Sequence, residues 1–160
     1  MMRILVYGAG VLGCTLARDF FKVGKDVTLL ARGKWAETIK TNGLCIKNYV
    51  LPMKSTVRVP VVTELASEDE YDVIFVAARY TQVATILDAL RANKSKNVVF
   101  LGNNVQPEKL VTALPEKNVM FAFASSAGHR EQDRIVSVDL KKITIGQLRG
   151  VQSSEQLIQK

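Results

Sequence analysis

Histidine occurs once and cysteine twice in the 160 residues, which removes whole classes of chemistry. A lone histidine and two distant cysteines, Cys14 and Cys45, cannot close a zinc site. Two cysteines do not make a disulfide framework either, so both read as reduced core thiols of a cytoplasmic protein. The other reading of Cys14 is a reactive thiol, because a place near a helix N-terminus lowers thiol pKa. Ser125 and Ser126 have no adjacent base and Gly-x-Ser-x-Gly is missing, so nothing points to a nucleophilic hydrolase. No apolar run approaches the roughly 20 residues of a membrane helix. Met1-Met2-Arg3-Ile4 leads straight into an apolar segment, so neither a signal peptide nor a membrane partner is expected.

Carboxylates are outnumbered: Lys and Arg total 22 against 15 Asp and Glu, a net charge of +7. Such an excess serves nucleic acid when it is clustered. Here it is scattered over Arg32, Lys34, Lys47, Lys54, Arg91, Lys94, Lys96, Lys141 and Lys142, with no basic helix. No nucleic-acid partner is expected; a phosphorylated small ligand and a solvated surface account for the charge. Repeats and low-complexity stretches are absent as well, and the length suits one domain with a substantial core.

What is present begins at Gly8-Ala9-Gly10-Val11-Leu12-Gly13. Before it, Arg3-Ile4-Leu5-Val6-Tyr7 reads as a buried parallel strand. After it, Cys14 to Val23 has a helical pattern stopped by Gly24, with Leu12, Leu16, Phe20 and Val23 on one face. Strand, glycine turn and helix in that order form a dinucleotide fingerprint. Gly8 allows the tight turn, Gly10 lets a pyrophosphate approach the backbone, and Gly13 lets helix and strand pack closely. Free N–H groups at the helix start face the phosphates. The alternative is a glycine-rich turn with no ligand.

The second strand, Asp26 to Ala31, ends at Arg32-Gly33-Lys34, with no carboxylate before Glu37. An acid at this strand end would favour NAD through the ribose hydroxyls. Arg32 can instead fork onto a 2′-phosphate while Lys34 adds charge, so the residues point to NADP(H). Covering a strand end is the other role open to Arg32 and Lys34. Beyond them the pattern predicts a short helix over 35–41 and two short strands, 44–47 and 56–59, in a small hairpin excursion. Val61-Val62 then rejoins the sheet. Strands at 71–78, 97–101 and 119–123 alternate with helices at 81–92 and from Pro107. Ile135–Val138 and Ile143–Ile145 close the pattern as an antiparallel pair. The whole is a doubly wound, mostly parallel α/β sheet, whose ligands lie beyond the carboxyl ends of the strands.

These residues resemble the N-terminal domain of the ketopantoate reductases (2-dehydropantoate 2-reductases). The likeness rests on Gly8 to Gly13, Leu30-Ala31-Arg32, Asn42-Gly43-Leu44, Val76-Ala77-Ala78-Arg79-Tyr80-Thr81-Gln82, Leu101-Gly102-Asn103-Asn104-Val105 with Glu108-Lys109-Leu110, and Ile143-Thr144-Ile145-Gly146. It implies a Rossmann fold over residues 1–150 and NADPH-dependent reduction of 2-dehydropantoate, a small 2-oxoacid, on the route to pantothenate and coenzyme A. By position it implies that Gly8, Ala9, Gly10, Val11, Leu12 and Gly13 hold the pyrophosphate and Arg32 the 2′-phosphate. Arg79 stands for a family lysine near the cofactor, and Gln82 matches a glutamine beside it. Asn103 matches the asparagine between nicotinamide and substrate, and Gly128 falls where the family backbone passes the cofactor.

Two positions depart from the family pattern. Arg79 replaces lysine, which keeps the charge and changes its shape. Asn103-Asn104 replaces Asn-Gly; a loop role capping the next helix is the alternative for both residues. The family's second, helical domain supplies the lysine general acid, and residues 151–160 read as the start of a linker or helix toward it. His129, in what reads as a polar loop, is either a proton donor or an exposed loop histidine. A stand-alone NADP(H) sensor, or a dehydrogenase of another hydroxy acid, is the competing expectation, and a homodimer is left open.

Overall fold

A computed structural model describes residues 1–148 of the chain, so the reading of 151–160 lies outside the described residues. Its strands and helices alternate as β1 (Arg3–Tyr7), α1 (Val11–Lys22), β2 (Asp26–Leu30), α2 (Gly33–Asn42), β3 (Leu44–Asn48), β4 (Lys54–Val57), β5 (Val61–Val62) and β6 (Val73–Val76). There follow α3 (Tyr80–Val83), α4 (Leu87–Ala92), β7 (Asn97–Leu101), α5 (Pro107–Ala113), β8 (Asn118–Arg130) and β9 (Ile135–Gly146). The nine strands of the described residues form one sheet in the order β4-β3-β9-β8-β7-β6-β1-β2-β5. From β5 to β8 the pairs are parallel; β8 with β9 and β3 with β4 are antiparallel.

The period of two along each central strand sorts its side chains onto two faces. Ile4 and Val6 of β1, Val73 and Phe75 of β6, and Val99 and Leu101 of β7 enter the core under α1 and α2. Leu5, Tyr7, Ile74, Val76, Val98 and Phe100 enter the opposite core with Val83, Leu90, Leu110 and Leu114. Burial on both faces explains the unbroken apolar runs of the sequence. Each fully buried Leu, Ile or Phe contributes roughly 1.5–3 kcal/mol.

Beneath the amino ends of the strands, polar groups tie the loops together. Lys117 donates from Nζ to the carbonyls of Asn93 and Ser95, and Asn93 donates from Nδ2 to the carbonyls of Ala66 and Asp69. Burial pushes the Lys117 ammonium below its ordinary pKa.

Four local expectations change. The 81–92 helix is broken into α3, a 3₁₀ turn over Ala84–Ile86, and α4. β-Branched Val83, Thr85 and Ile86 disfavour the α-helix here, and the Thr85 hydroxyl donates back to the Gln82 carbonyl at 2.8 Å. The hairpin of β3 and β4 is no excursion, because β3 pairs in parallel with β9 and extends the main sheet. The two short C-terminal strands are one strand, β9, and β8 continues through the supposed polar loop as far as Arg130. Finally, α1 turns Gly13, Cys14, Leu16 and Ala17 inward, while Val23 is 69% exposed.

Candidate functional site

The register of the central strands fixes one edge of the sheet. Tyr7 of β1 lies beside Leu30 of β2 and Val76 of β6, so the chain leaves all three strands at the same level. The Gly8 N–H donates to the Leu30 carbonyl at 3.1 Å, and the Ala77 N–H donates to the Tyr7 carbonyl at 2.8 Å. Gly8 has φ +111°, and a Cβ there would stand 2.8 Å from the Ala77 carbonyl oxygen. At Gly13 a Cβ would stand 1.8 Å from the Gly8 carbonyl oxygen. Packing alone therefore demands glycine at 8 and 13.

Gly10 differs. Its conformation is open to any residue (φ −81°, ψ −168°), and a Cβ would meet nothing within 4 Å. No protein atom explains the glycine, whereas a ligand approaching the backbone would. Gly10 is also the N-cap of α1, and its carbonyl accepts the Cys14 N–H at 2.9 Å. The N–H groups of Val11, Leu12 and Gly13 thus have no acceptor within the helix, and its first turn carries no acid. This is a cradle suited to an anion.

The cradle opens into a cleft of about 780 Å³, a size suited to a small molecule. Gly8, Ala9, Gly10, Val11, Arg32, Arg79, Gln82 and Gly128 all line it. So do Tyr7, Trp35, His129 and Arg130. The other sequence-predicted residues lie elsewhere. Leu12 borders a separate apolar groove of about 390 Å³ beside α1, and Gly13 is buried. Lys34 is exposed on the first turn of α2, outside the lining. Asn103 is exposed in the loop between β7 and α5 and also lies outside the lining. That loop turns at Gly102 (φ +103°), and the Asn104 amide donates to the Gly102 carbonyl at 3.0 Å. Neither asparagine caps α5, whose N-cap is Gln106.

Gly128 is demanded by the sheet. A Cβ there would lie 2.2 Å from the Val136 carbonyl oxygen on β9. His129 likewise belongs to a strand rather than a loop, opposite Val136, and its Nε2 lies 3.6 Å from Glu131.

The lining contains three arginines and no carboxylate. Arg32 donates from NH2 to the Tyr7 hydroxyl at 2.5 Å and rests over the Tyr7 ring at 5.6 Å. Burial raises the Tyr7 pKa, and Arg32 partly offsets the rise. Glu37, the first acid after β2, ion-pairs with Lys40 at 3.8 Å and does not line the cleft. Burial pushes the Cys14 thiol up to about 12, so the reading as an inert core thiol replaces the reactive one.

Trp35 and Arg130 escaped sequence reasoning. The Trp35 indole N–H donates to the Ala9 carbonyl at 2.9 Å, tying α2 to the glycine turn. The one signal available was a sole tryptophan three residues after Arg32. Among the described residues no group of three or more His, Cys, Asp or Glu could hold a metal ion. Among them, too, no helix is long and apolar enough to cross a membrane.

A largely parallel sheet with the glycine turn and this cleft at its carboxyl edge defines a Rossmann-like α/β domain. The chain belongs to the ketopantoate reductase PanE/ApbA family, whose model matches residues 4–150. It is 37% identical over 62 residues to the 2-dehydropantoate 2-reductase of Pyrococcus horikoshii, covering 37% of this chain and 21% of that protein. The crystal structure of 2-dehydropantoate 2-reductase from Geobacter metallireducens superposes with a TM-score of 0.79 at 20% identity, over 95% of this chain and 51% of that one. A D-mandelate dehydrogenase solved with NADH and anilino(oxo)acetate gives 0.73 at 20% identity, over 90% and 47%. The chain thus spans about half the length of these solved structures.

Proposed function

We propose that the chain is the cofactor-binding half of an NADPH-dependent oxidoreductase that reduces a 2-oxoacid, with 2-dehydropantoate as the leading substrate. The observation that carries this reading is the convergence of the glycine turn, Arg32, Arg79 and Gln82 on one acid-free cleft. The open space at Gly10 and the free N–H groups of α1 suit a pyrophosphate. Arg32, at the end of β2, would fork onto a 2′-phosphate, with Lys34 adding charge from the same turn. The D-mandelate dehydrogenase was solved with NADH. The fold therefore accepts a cofactor lacking the 2′-phosphate, and a preference for NADPH rests on Arg32 and the absence of a carboxylate from the lining.

A bound reduced nicotinamide supplies the hydride. What the chain adds is binding and orientation: Arg79 and Gln82 come from the cleft wall, while Asn103, in the β7–α5 loop outside the lining, is assigned to the substrate carbonyl by the family resemblance alone. Reduction also needs a proton at the carbonyl oxygen. The lining offers His129 but no lysine or carboxylic acid. By the family resemblance the general acid is a lysine of the second, helical domain, so the 160-residue chain on its own is proposed to bind NADPH while reducing 2-dehydropantoate negligibly. Calorimetric titration with NADPH and NADH tests the reading, with NADPH expected to bind more tightly. Equal affinities would remove the NADP preference, and robust turnover would show that the catalytic groups are misplaced.

A further inference from the structure

Arg130 lines the cleft without a part in reading the 2′-phosphate or holding the substrate. It ends β8, whose last residues Gly128, His129 and Arg130 line the cleft together with the glycine turn. Its guanidinium carbon lies 5.5 Å from the centre of the Trp35 ring. Trp35 in turn holds the Ala9 carbonyl. The cation is thus seated on a ring fixed to the turn itself, an arrangement that orients the planar fork while leaving its edges free.

None of the described carboxylates pairs with Arg130. Glu131, its neighbour, is taken by His129 and Arg134, and Asp133 by Arg134. An arginine on a strand end, unpaired and inside an acid-free cleft, is a donor set awaiting an anion. Its place also separates it from Arg32. Arg32 lies over Tyr7 at the end of β2. Arg130 lies over Trp35, whose indole holds Ala9, and shares the cleft with the glycine turn, near enough to α1 for its charge to favour the Cys14 thiolate against the larger effect of burial.

We propose that Arg130 binds the pyrophosphate of the dinucleotide from the β8 side of the cleft, across from the glycine turn. The inference rests on the cleft being a dinucleotide site, and it separates two jobs. Arg32 reads the 2′-phosphate and sets the preference between cofactors; Arg130 grips the group that NADPH and NADH share.

The test is titration of Arg130→Gln and Arg130→Lys chains with both cofactors, beside Arg32→Ala and the wild type. Arg130→Gln should weaken NADPH and NADH alike, by about 10-fold, the loss of one charge-assisted bidentate contact. Arg130→Lys should recover part of the loss, because it keeps the charge but not the fork. Arg32→Ala should change the ratio between cofactors, and Arg130→Gln should not. Unaltered affinity for both cofactors in Arg130→Gln would overturn the inference, as would a loss confined to NADPH. A wild-type chain that binds neither cofactor overturns the dinucleotide reading itself. An unchanged thermal midpoint confirms that Arg130→Gln is folded, and the lysine variant remains informative if it is not.

Discussion

The indole N–H of Trp35 donates a 2.9 Å hydrogen bond to the carbonyl of Ala9. One bond joins the first turn of α2 to the middle of the glycine turn, two segments that local sequence would treat as separate. Trp35 is 8% exposed, so water cannot replace the donor easily. Trp35→Phe keeps the packing and leaves the Ala9 carbonyl short of a partner. The expected cost is about 1–3 kcal/mol of stability, read as a lower thermal midpoint, together with weaker NADPH binding. Unchanged stability and binding would mean the turn holds its shape without this tether.

Arg32 is oriented by Tyr7 through a hydrogen bond and through the face of its ring. Arg32→Ala should weaken NADPH by roughly 10- to 100-fold and leave NADH within about 2-fold. Its readout is the ratio of the two dissociation constants. A parallel loss for both cofactors would place Arg32 away from the 2′-phosphate.

The Cys14 thiol is held protonated by burial, with its pKa raised from 9.0 to about 12. Between those values the unfolded chain loses this proton while the folded chain keeps it. This group's contribution to stability is therefore fully present below pH 9 and lost progressively as pH rises toward 12. At pH 8 a disulfide reagent should label Cys14 only after denaturant is added. Rapid labelling of Cys14 in the folded chain would contradict the burial.

Much of the fold could be read in the residues because its central strands are buried on both faces and therefore apolar throughout, as in Ile4-Leu5-Val6-Tyr7 and Val73-Ile74-Phe75-Val76. What was hidden lies where periodicity is silent. Ser125 to Arg130 alternates no apolar residues, since this end of β8 is exposed and held by its pairing with β9. The contact between β3 and β9 joins residues about ninety positions apart, and nothing local encodes it. At the cleft, the glycine turn and Arg32 carry a spacing with a mechanism behind it. Trp35 and Arg130 become partners only where the end of β8 and the start of α2 meet at the cleft, which no spacing records.

Gly13 and Gly10 separate packing from binding within one motif. Gly13→Ala drives a Cβ to 1.8 Å from the Gly8 carbonyl oxygen, a backbone atom that cannot step aside. That variant should lose several kcal/mol of stability or fail to accumulate as folded protein.

Gly10→Ala places its Cβ in open space, at a backbone conformation that alanine adopts freely. Because Gly10 is the N-cap of α1, where alanine is the poorer residue, stability should fall by no more than about 1 kcal/mol. The added methyl would occupy the space through which a pyrophosphate reaches the backbone. The most direct measurement is therefore NADPH titration of Gly10→Ala beside its thermal unfolding. The melting curve should shift by no more than that small capping loss, while NADPH affinity falls by about 10-fold or more. A folded variant that still binds NADPH as tightly as the wild type would contradict the placement of the cofactor on this turn.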